Sequence, residues 1–282
     1  MRMMLTDKIV LVTGATSGLG RHLAEQLAAQ DATLLLHGRD PDRLQTLCRR
    51  LRDEGASVYG YVSDLAHLFE VRELALRVLR DWPRLDVLIN NAGTGPGAEG
   101  APRELSQDGY ELRFAVGYLA PFLLSRLLLP ALRCSASARV ANVVSGVQVP
   151  IDLGDLQMAG SYHGWVAYGR AKLALASFTM DFAEEVYAEG IAVNCVHPAN
   201  FMPTAMVKEI GAEPQSTLWQ GGEAVLRLVR PSVAGSTGHY YNGLTPASPH
   251  DDVLDAMKRR LLREVTEYLL AQASRRPTGA RV

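Results

Sequence analysis

The sequence predicts an α/β fold, with a single doubly wound parallel sheet and helices on both faces. Short apolar runs rich in Val, Ile and Leu recur along the chain and are typical of buried parallel strands. Amphipathic helical segments separate these runs, and regular alternation of strand and helix favours a parallel sheet. The first strand, residues 9–12, passes through a glycine-rich turn into a helix over residues 21–30. Together these observations predict one sheet covered on both sides.

Length and composition fit one domain over residues 1–282, ending in a helical tail over 250–282. The chain has 282 residues, is 48% hydrophobic and carries a formal net charge of -1. Near-neutral charge gives no electrostatic footprint for nucleic acid. No apolar run reaches membrane-spanning length, since residues 122–132 are too few and include Arg126. We therefore expect no membrane span and no nucleic-acid partner.

The termini and the cysteines indicate a cytoplasmic protein without a metal site. Residues 1–7 lack the apolar core of a signal peptide. The three cysteines, Cys48, Cys134 and Cys195, are far apart and lack metal-ligand spacing. We expect free thiols in a reducing compartment.

The first turn has the composition of a diphosphate-binding loop. It runs from Thr13-Gly14 to Gly18 and Gly20. Glycines let the backbone approach a ligand, while the exposed N–H groups and the dipole of the following helix hold an anion. The spacing differs from the common G-x-G-x-x-G pattern, so an ordinary strand–helix turn is the alternative. The candidate cofactor contacts here are Gly14, Ser17, Gly18, Leu19 and Gly20.

The second strand, residues 32–36, runs into a segment that selects between NAD and NADP. The end of this strand reaches the adenosine ribose in nucleotide-binding folds, where an acid suits NAD and a base suits NADP. Arg39 stands there, and a guanidinium pairs well with a phosphate. We therefore favour NADP(H) over NAD(H). Arg39 as a solvated turn residue is one alternative, and Asp40 reversing the preference is another, although Asp40 suits a cap for the helix over 41–53.

The next two strands end in further polar residues. Residues 56–62 lead to Asp64 and Leu65, and Asp64 is also a candidate N-cap for a helix over 66–81. Residues 86–89 lead to Asn90-Asn-Ala-Gly93, a small polar strand end that suits close approach of the backbone to a ligand.

The middle of the chain predicts a long helix, a strand and a substrate wall. The helix covers 106–132, with Pro121 as a kink or break. The strand covers 139–145 and ends in Ser145. Residues 146–164 look irregular, and such a segment beside a site is a natural wall for a substrate.

Tyr168 and Lys172 open the next helix, over 165–189, and lie one turn apart on one face. A phenol titrates near pH 10, which is high for proton transfer at neutral pH, and an ammonium close by lowers that pKa. The hydroxyl of Ser145 can hold a substrate oxygen beside the phenol. These three residues suit the proton transfer that accompanies hydride transfer.

The last part of the chain predicts a sixth strand over 191–196 and a loop from His197 to Thr204. A polar loop to residue 220, a helix over 222–228 and a strand near 238–243 follow. The tail helix covers 253–273, with an apolar side formed by Leu254, Met257, Leu261, Leu262, Val265 and Leu269. The carboxyl ends of the strands hold Gly14, Arg39, Asp64, Asn91, Ser145 and Pro198. Ligands bind beyond such ends in doubly wound sheets.

Four motifs in this order resemble the short-chain dehydrogenase/reductase family. They are Thr13-Gly-x-x-x-Gly-x-Gly20, Asn90-Asn-Ala-Gly93, Ser145 after a strand, and Tyr168-x-x-x-Lys172. The resemblance extends to about residue 245 and implies a Rossmann-like NAD(P)-dependent enzyme. Residues 38–40, the long insert and residues 150–152 are similar to the branch that acts on lipophilic alcohols and ketones, near retinol-dehydrogenase-like and polyketide-type ketoreductases.

The resemblance also implies roles for single residues. Tyr168 is the general acid/base, Lys172 binds the ribose and lowers the phenol pKa, and Ser145 positions the reacting oxygen. The Asp-Leu pair at Asp64 contacts adenine. The implied cofactor contacts beyond the first turn are Arg39, Asp64, Leu65, Asn91, Ala92, Gly93, Tyr168, Lys172, Pro198 and Thr204.

Two departures from the family pattern bear on activity. Gly117 stands where the family has a helix asparagine that holds a water chain from the lysine to solvent. This substitution has three interpretations. Backbone groups alone hold the water chain, neighbouring Tyr118 replaces the asparagine, or the protein no longer carries out simple redox chemistry. Pro198-Ala199 replaces the usual Pro-Gly, and Thr204 lies one place late in a loop that normally touches the nicotinamide amide.

We therefore expect an NADP(H)-dependent oxidoreductase acting on a ketone or secondary alcohol of a lipophilic small molecule. A non-redox step such as dehydration, cyclisation or epimerisation is the alternative, because of Gly117. A cofactor-binding protein without catalysis is a third reading. The family's homodimers and homotetramers use the helices corresponding to 106–132 and 165–189. Further candidates for contact with the substrate are His163, Trp165, Met202, Met206 and Trp219, and plain packing is an equally good interpretation of these side chains. His197 is expected to be a satisfied strand-end histidine.

Overall fold

The computed structural model describes residues 5–230 and 236–275. Residues 1–4, 231–235 and 276–282 lie outside the described residues, and they include the ends of the domain expected over 1–282 and of the tail expected over 250–282. Within the described ranges, eight strands form one sheet in the order β3-β2-β1-β4-β5-β6-β7-β8. The strands are β1 (Ile9–Val12), β2 (Thr33–Gly38), β3 (Val58–Val62), β4 (Val87–Asn90), β5 (Arg139–Val143), β6 (Ala192–His197), β7 (Tyr240–Asn242) and β8 (Thr245–Ala247).

Helices cover both faces of this sheet. They are α1 (Gly18–Ala28), α2 (Pro41–Asp53), α3 (Leu68–Asp81), α4 (Leu112–Phe114), α5 (Ala120–Leu127), α6 (Leu129–Arg133), α7 (Gly164–Glu185), α8 (Ala205–Glu209), α9 (Leu218–Val229), α10 (Asp251–Leu254) and α11 (Ala256–Arg275). A π-helical turn, Ala115–Leu119, joins α4 to α5, and a 3₁₀ turn, Tyr187–Glu189, follows α7.

The alternation of side chains along the strands builds a separate core on each face. Leu11 of β1 packs in a core with α3, α5 and α7. Its neighbours Val10 and Val12 point to the other face and pack with α1, α2 and α9. Successive strand residues point to opposite faces, so an apolar run is needed where both faces are covered. The doubly wound Rossmann-like fold expected from the sequence is confirmed.

The order of the strands places a crevice between β1 and β4. From β1 the sheet grows through β2 to β3 on one side and through β4 to β7 on the other. The seven strands β1 to β7 are parallel, so their carboxyl ends lie on one edge. A reversal of strand order opens a crevice at that edge, where ligands bind in such folds.

The segment expected as one helix over 106–132 is divided in the structure. It contains α4, the π-helical turn, α5 and α6. The irregularity expected at Pro121 takes the form of the π-helical turn just before it, and Pro121 lies in the first turn of α5, where a missing N–H is tolerated.

The C-terminal part holds elements that the sequence did not predict. The strand β8 pairs antiparallel with β7 and has only exposed residues, so no apolar run marks it. The tail helix is broken at Asp255 into α10 and α11. Because α11 begins as a separate helix after Asp255, the prediction of which residues form the apolar side of the tail is partly wrong. The residues that α11 buries are Arg259, Leu262, Thr266 and Leu270, whereas Leu254, Met257 and Leu261 are exposed.

Helices α10 and α11 pack against α7. Arg259 donates to Asp181 (2.6 Å) and Glu184 (2.9 Å) of α7, which fixes the start of α11. Within the described ranges, no helix combines the length and the apolar character that a membrane crossing needs.

Candidate active site

A cleft of about 660 Å³ lies at the carboxyl edge of the sheet. The carboxyl ends of β1, β2, β4, β5 and β6 contribute to its walls. Every candidate catalytic and cofactor-binding residue named from the sequence lines it. They are Gly14, Ser17, Gly18, Leu19, Gly20, Arg39, Asp64, Leu65, Asn91, Ala92, Gly93, Ser145, Tyr168, Lys172, Pro198 and Thr204.

The turn between β1 and α1 is built so that only glycine fits. Gly14 has φ +66°, and a Cβ there would lie 2.9 Å from the Cα of Ala92. A Cβ on Gly20 would overlap the carbonyl oxygen of Gly14 and the amide of Asn91. The first N–H groups of a helix have no intrahelical partner, and the side chain of Ser17 does not cap them. The resulting cradle fits a diphosphate.

Thr13 and Asn91 hold this turn against the end of β4. The Oγ1 of Thr13 accepts hydrogen bonds from the backbone N–H of Asn91 (3.0 Å) and of Ala92 (3.1 Å). The side-chain amide of Asn91 donates to the carbonyl of Thr13 at 2.9 Å. Asn91, expected as a cofactor contact, therefore also fixes the shape of the cradle.

His37 is a site residue that the sequence reasoning missed. Its Nδ1 accepts from the N–H of Gly14 (3.2 Å), so its Nε2 carries the proton that is donated to the carbonyl of Ser63 (3.0 Å). Burial lowers the pKa of His37 to about 4, which keeps the ring neutral. The position of His37 at the end of β2 was the available signal, but a single histidine there has no fixed meaning.

The far end of the cleft is basic. Arg39 and Arg43 both line it. Asp40 accepts hydrogen bonds from the backbone N–H of Asp42 and of Arg43, at 3.0 Å each, and so caps α2 as its position indicated. Arg43 was missed, although its place in the first turn of α2, four residues after Arg39, was a signal.

Asp64 lies in the cleft but does not cap α3. The helix begins at Leu68, and the N–H of Leu68 donates to Oδ2 of Asp108 at 2.7 Å. Asp64 instead accepts from the N–H of Ala66 (2.9 Å) in the turn before the helix. The N-cap expected at Asp64 was wrong because this turn delays the helix by two residues. Leu65 follows on the same wall.

Ser145, Tyr168 and Lys172 meet at the other end of the cleft. Ser145 lies just past β5, its Oγ accepts from the N–H of Val147 (3.1 Å), and its side chain is hydrogen-bonded to Tyr168. Lys172 is 4% exposed and donates to the carbonyl of Val143 at 2.9 Å. Its Nζ lies 5.8 Å from the centre of the Tyr168 ring.

The pKa values of this group are set mainly by burial. Desolvation raises the pKa of Tyr168, and the hydrogen bond with Ser145 acts in the opposite direction. The net shift is opposite to the one expected from an ammonium alone. Burial lowers the pKa of Lys172 to about 8, because the charged ammonium loses its hydration there.

The loop after β6 closes the cleft beside the glycine turn. His197 is buried and its Nε2 is 2.9 Å from Oδ1 of Asn200, which agrees with the satisfied histidine expected. Thr204 caps α8, a short helix that the sequence did not predict, by accepting from the N–H of Val207 at 3.4 Å. Its methyl group lies 3.1 Å from where a Cβ of Gly18 would stand. Thr204 thus lies against the cradle, and Pro198 lines the same cleft.

Gly117 lies in the π-helical turn and faces Ala171 of α7, whose Cβ would be 3.4 Å from a Cβ on Gly117. Tyr118, offered as a substitute for the family asparagine, points away from the cleft. Its hydroxyl is 2.8 Å from Oγ1 of Thr266 on α11, and burial raises its pKa. The alternative in which Tyr118 replaces the family asparagine is wrong, because adjacent helical residues face different sides.

Apolar side chains line the cleft that contains Tyr168. The ring of Trp165 lies edge-on to Tyr168 with centroids 6.1 Å apart. His163 and Trp219, also expected near the substrate, do not line the cleft. Apolar side chains that line the cleft include Leu112, Val116, Trp165, Met202, Met206 and Ile210.

A family model described as short chain dehydrogenase matches residues 8–215. The chain belongs to the short-chain dehydrogenase family. Retinol dehydrogenase 13 of Homo sapiens is 30% identical over 300 residues, which cover 96% of this chain and 85% of the human protein. Retinol dehydrogenase 14 of Mus musculus is 32% identical, with 95% of this chain and 87% of the mouse protein covered.

Solved structures of short-chain dehydrogenases share the fold. A protein of Mycobacterium paratuberculosis has a TM-score of 0.76 at 26% identity, with 95% of each chain covered. RhlG of Pseudomonas aeruginosa, described as an NADP active-site complex, has a TM-score of 0.71 at 28% identity, covering 86% of this chain and 96% of RhlG. These relatives support an NAD(P)-dependent oxidoreductase with a small-molecule substrate.

Proposed function

We propose that the protein is an NADP(H)-dependent oxidoreductase that interconverts a ketone and a secondary alcohol on a lipophilic small molecule. One observation carries the proposal. The glycine cradle, the basic end at Arg39 and the group of Ser145, Tyr168 and Lys172 lie in one cleft. These residues would hold a dinucleotide, which would supply hydride-transfer chemistry beside the phenol.

The cofactor preference rests on the basic end. Arg39 and Arg43 supply guanidinium groups for a 2′-phosphate, and the nearby carboxylate of Asp40 is engaged as a helix cap. RhlG, one of the similar structures, is described as an NADP complex. Both points favour NADP(H) over NAD(H).

The substrate class rests on the apolar lining of the cleft. Trp165 lies beside Tyr168, and aliphatic and thioether side chains line the same cleft. Such surfaces suit lipophilic ligands. The similar mammalian proteins are named retinol dehydrogenases, which places a lipophilic alcohol among the substrates of relatives.

The residues divide the proton chemistry among them. The cofactor, when bound, supplies or accepts the hydride. In the reducing direction Tyr168 donates its phenolic proton to the substrate oxygen, and the hydroxyl of Ser145 hydrogen-bonds the same oxygen. The Nζ of Lys172 lies 5.8 Å from the centre of the Tyr168 ring, and this side chain would bind the ribose of the cofactor. In the oxidising direction the phenolate takes the proton.

The homodimer or homotetramer expected through residues 106–132 and 165–189 stays a prediction, as does the cytoplasmic location. The chain's own α11 covers part of that surface, because Tyr118 is bonded to Thr266. An assembly through these helices therefore uses the surface beside α11. Light scattering coupled to size-exclusion chromatography measures the mass in solution.

Fluorescence titration with NADPH and NADH, followed by consumption of the better cofactor, tests the function. The ketones are cyclohexanone, 2-decanone and a tetracyclic ketone. Consumption that scales with ketone supports the proposal. Product without net cofactor consumption supports the non-redox alternative, and binding without any chemistry supports a binding protein.

A further inference from the structure

Two segments without regular structure frame the substrate end of the cleft. Gly95, Pro96 and Glu104 come from the loop before α4, and Gly146 and Val147 come from the insert after β5. Backbone groups in such segments need partners other than helix or strand bonds. The side chains that supply these partners decide the shape of the pocket.

Arg113 holds the loop before α4. Its side chain is 4% exposed. Its Nε donates to the carbonyl of Gly95 (3.0 Å), and its Nη2 lies 3.0 Å from Oε2 of Glu104. Gly97 has φ +81°, and a Cβ there would come within 2.9 Å of Nη2. One buried guanidinium therefore joins both ends of this loop.

Glu111 joins Arg113 to the insert. Its carboxylate is 1% exposed, and Oε1 lies 3.5 Å from Nη1 of Arg113. The same oxygen accepts a hydrogen bond from the hydroxyl of Tyr162 at 3.1 Å, and Oε2 accepts from the N–H of Phe114 at 2.8 Å. Burial and the charge of Glu111 raise the pKa of Tyr162, so its hydroxyl stays a donor.

The insert is held at a second point. The backbone N–H of Glu111 donates to Oε1 of Gln157 at 2.7 Å, and Nε of Arg103 donates to the carbonyl of Gln157 at 2.6 Å. Glu111 thus anchors the insert with both its side chain and its backbone. A buried ion pair adds little net stability, but removing one partner leaves an uncompensated charge.

Arg113 and Glu111, together called the clamp below, lie next to residues that line the cleft and to the start of the helix that carries Tyr168. Leu112 and Val116, beside the clamp on α4 and the π-helical turn, line the pocket. A Cβ on Gly164, at the start of α7, would overlap the carbonyl of Pro96, so the held loop also fixes where α7 begins. Tyr168 lies one turn further along α7.

We propose that Arg113 and Glu111 are positioning residues that clamp the loop and the insert into a preformed wall, and that this wall decides which substrates fit opposite Tyr168. The inference rests on the proposed function. The pair takes no part in proton transfer. The carboxylates of Glu104 and Glu111 leave no excess positive charge at the clamp, so uncharged substrates fit it better than carboxylates.

Tyr162→Phe tests the clamp with the smallest change, because it removes only the hydroxyl bonded to Glu111. The two ligands are cyclohexanone and the largest ketone of the panel that the wild-type protein binds. We expect the KM of the large ketone to rise about fivefold to tenfold, the size expected for loss of one ordinary intramolecular hydrogen bond. The kcat, the KM of cyclohexanone and the Kd of NADPH stay within about twofold. Tyr187→Phe, at an exposed tyrosine, is the matched control.

Arg113→Lys and Arg113→Met extend the test. Arg113→Met removes the buried charge, so we expect it to lower both the stability and the affinity for the large ketone. Arg113→Lys keeps the charge but cannot bond Gly95 and Glu104 together, so we expect it to be more stable than Arg113→Met without regaining affinity for the large ketone. Equal loss for both ketones, or loss of NADPH binding in Tyr162→Phe, overturns the inference, as does an unchanged large-ketone KM.

Intrinsic fluorescence measures ketone binding to the NADPH complex independently of turnover. A wild-type protein that binds the large ketone but consumes no NADPH contradicts the proposed function, while the effect of Tyr162→Phe on that binding still decides the inference. A wild-type protein that binds no ketone contradicts both.

Discussion

Nδ1 of His37 accepts the N–H of Gly14 at 3.2 Å, and this bond joins the end of β2 to the diphosphate cradle. Only a ring that is unprotonated at Nδ1 can accept it. The same ring donates to the carbonyl of Ser63, so one neutral histidine ties the ends of three strands together.

The free energy of unfolding is expected to fall on acidification because of His37. The folded pKa is about 4, below the ordinary value of about 6.5, so protons bind preferentially to the unfolded chain. The stabilisation is complete above about pH 6.5 and is lost as pH falls towards about 4, by an amount on the order of 3 kcal/mol. Charged groups that act on the ring are Asp64, Glu70 and Arg77.

Urea unfolding of the wild-type protein and of His37→Asn across this range measures the effect. The asparagine keeps a donor and an acceptor but does not titrate. The difference in the free energy of unfolding between the wild-type protein and His37→Asn is expected to stay constant above pH 6.5. Below pH 6.5 the wild-type protein should lose stability relative to the variant. A constant difference down to pH 4 would contradict the role of His37.

Tyr168→Phe should reduce ketone turnover by about 10² to 10⁴ because it removes the proton donor. The Kd of NADPH should stay within about threefold, since the cradle and Arg39 are untouched. Steady-state rates and fluorescence titration measure the two quantities. A variant with rates close to wild type would sink the assignment of the acid.

Arg39→Ala should weaken NADPH by roughly tenfold and leave NADH nearly unchanged. The cause is loss of a charge-assisted contact to the 2′-phosphate. Arg43→Ala is the companion variant, because Arg43 lines the same end of the cleft. Equal effects of Arg39→Ala on both cofactors would show that this end does not select between them.

Gly117→Asn should maintain or raise the kcat for ketone reduction. A Cβ at this position would meet the Cβ of Ala171 at 3.4 Å, an ordinary contact, so a Cβ is accepted there without displacing the helix. Gly117→Ala adds the Cβ without the amide and is the matched control. A large loss of kcat in the asparagine variant alone would indicate that the glycine serves a different chemistry.

The sequence predicted the parallel sheet and the residues around the cleft because both depend on local patterns. Gly14, Ser145 and Tyr168 each follow a strand or open a helix, and parallel strands bring such ends together. The clamp formed by Arg113 and Glu111 and the bond of His37 were missed because each depends on contacts between segments that are far apart in the sequence. No periodicity connects Glu111 with Tyr162 or His37 with Ser63. The face of the tail helix was misjudged because the break at Asp255 shifts its phase.

The bond between Tyr118 and Thr266 joins residues 148 positions apart, and Phe122 and Phe178 line the same junction as α11. Chains emerge from the ribosome from their N-terminal end, so α5 and α7 are synthesised before α11. The aromatic face shared by α5 and α7 therefore has no cover from α11 until that helix has also been made. We expect this part of the core to close later than the cofactor cradle, whose segments lie earlier in the chain.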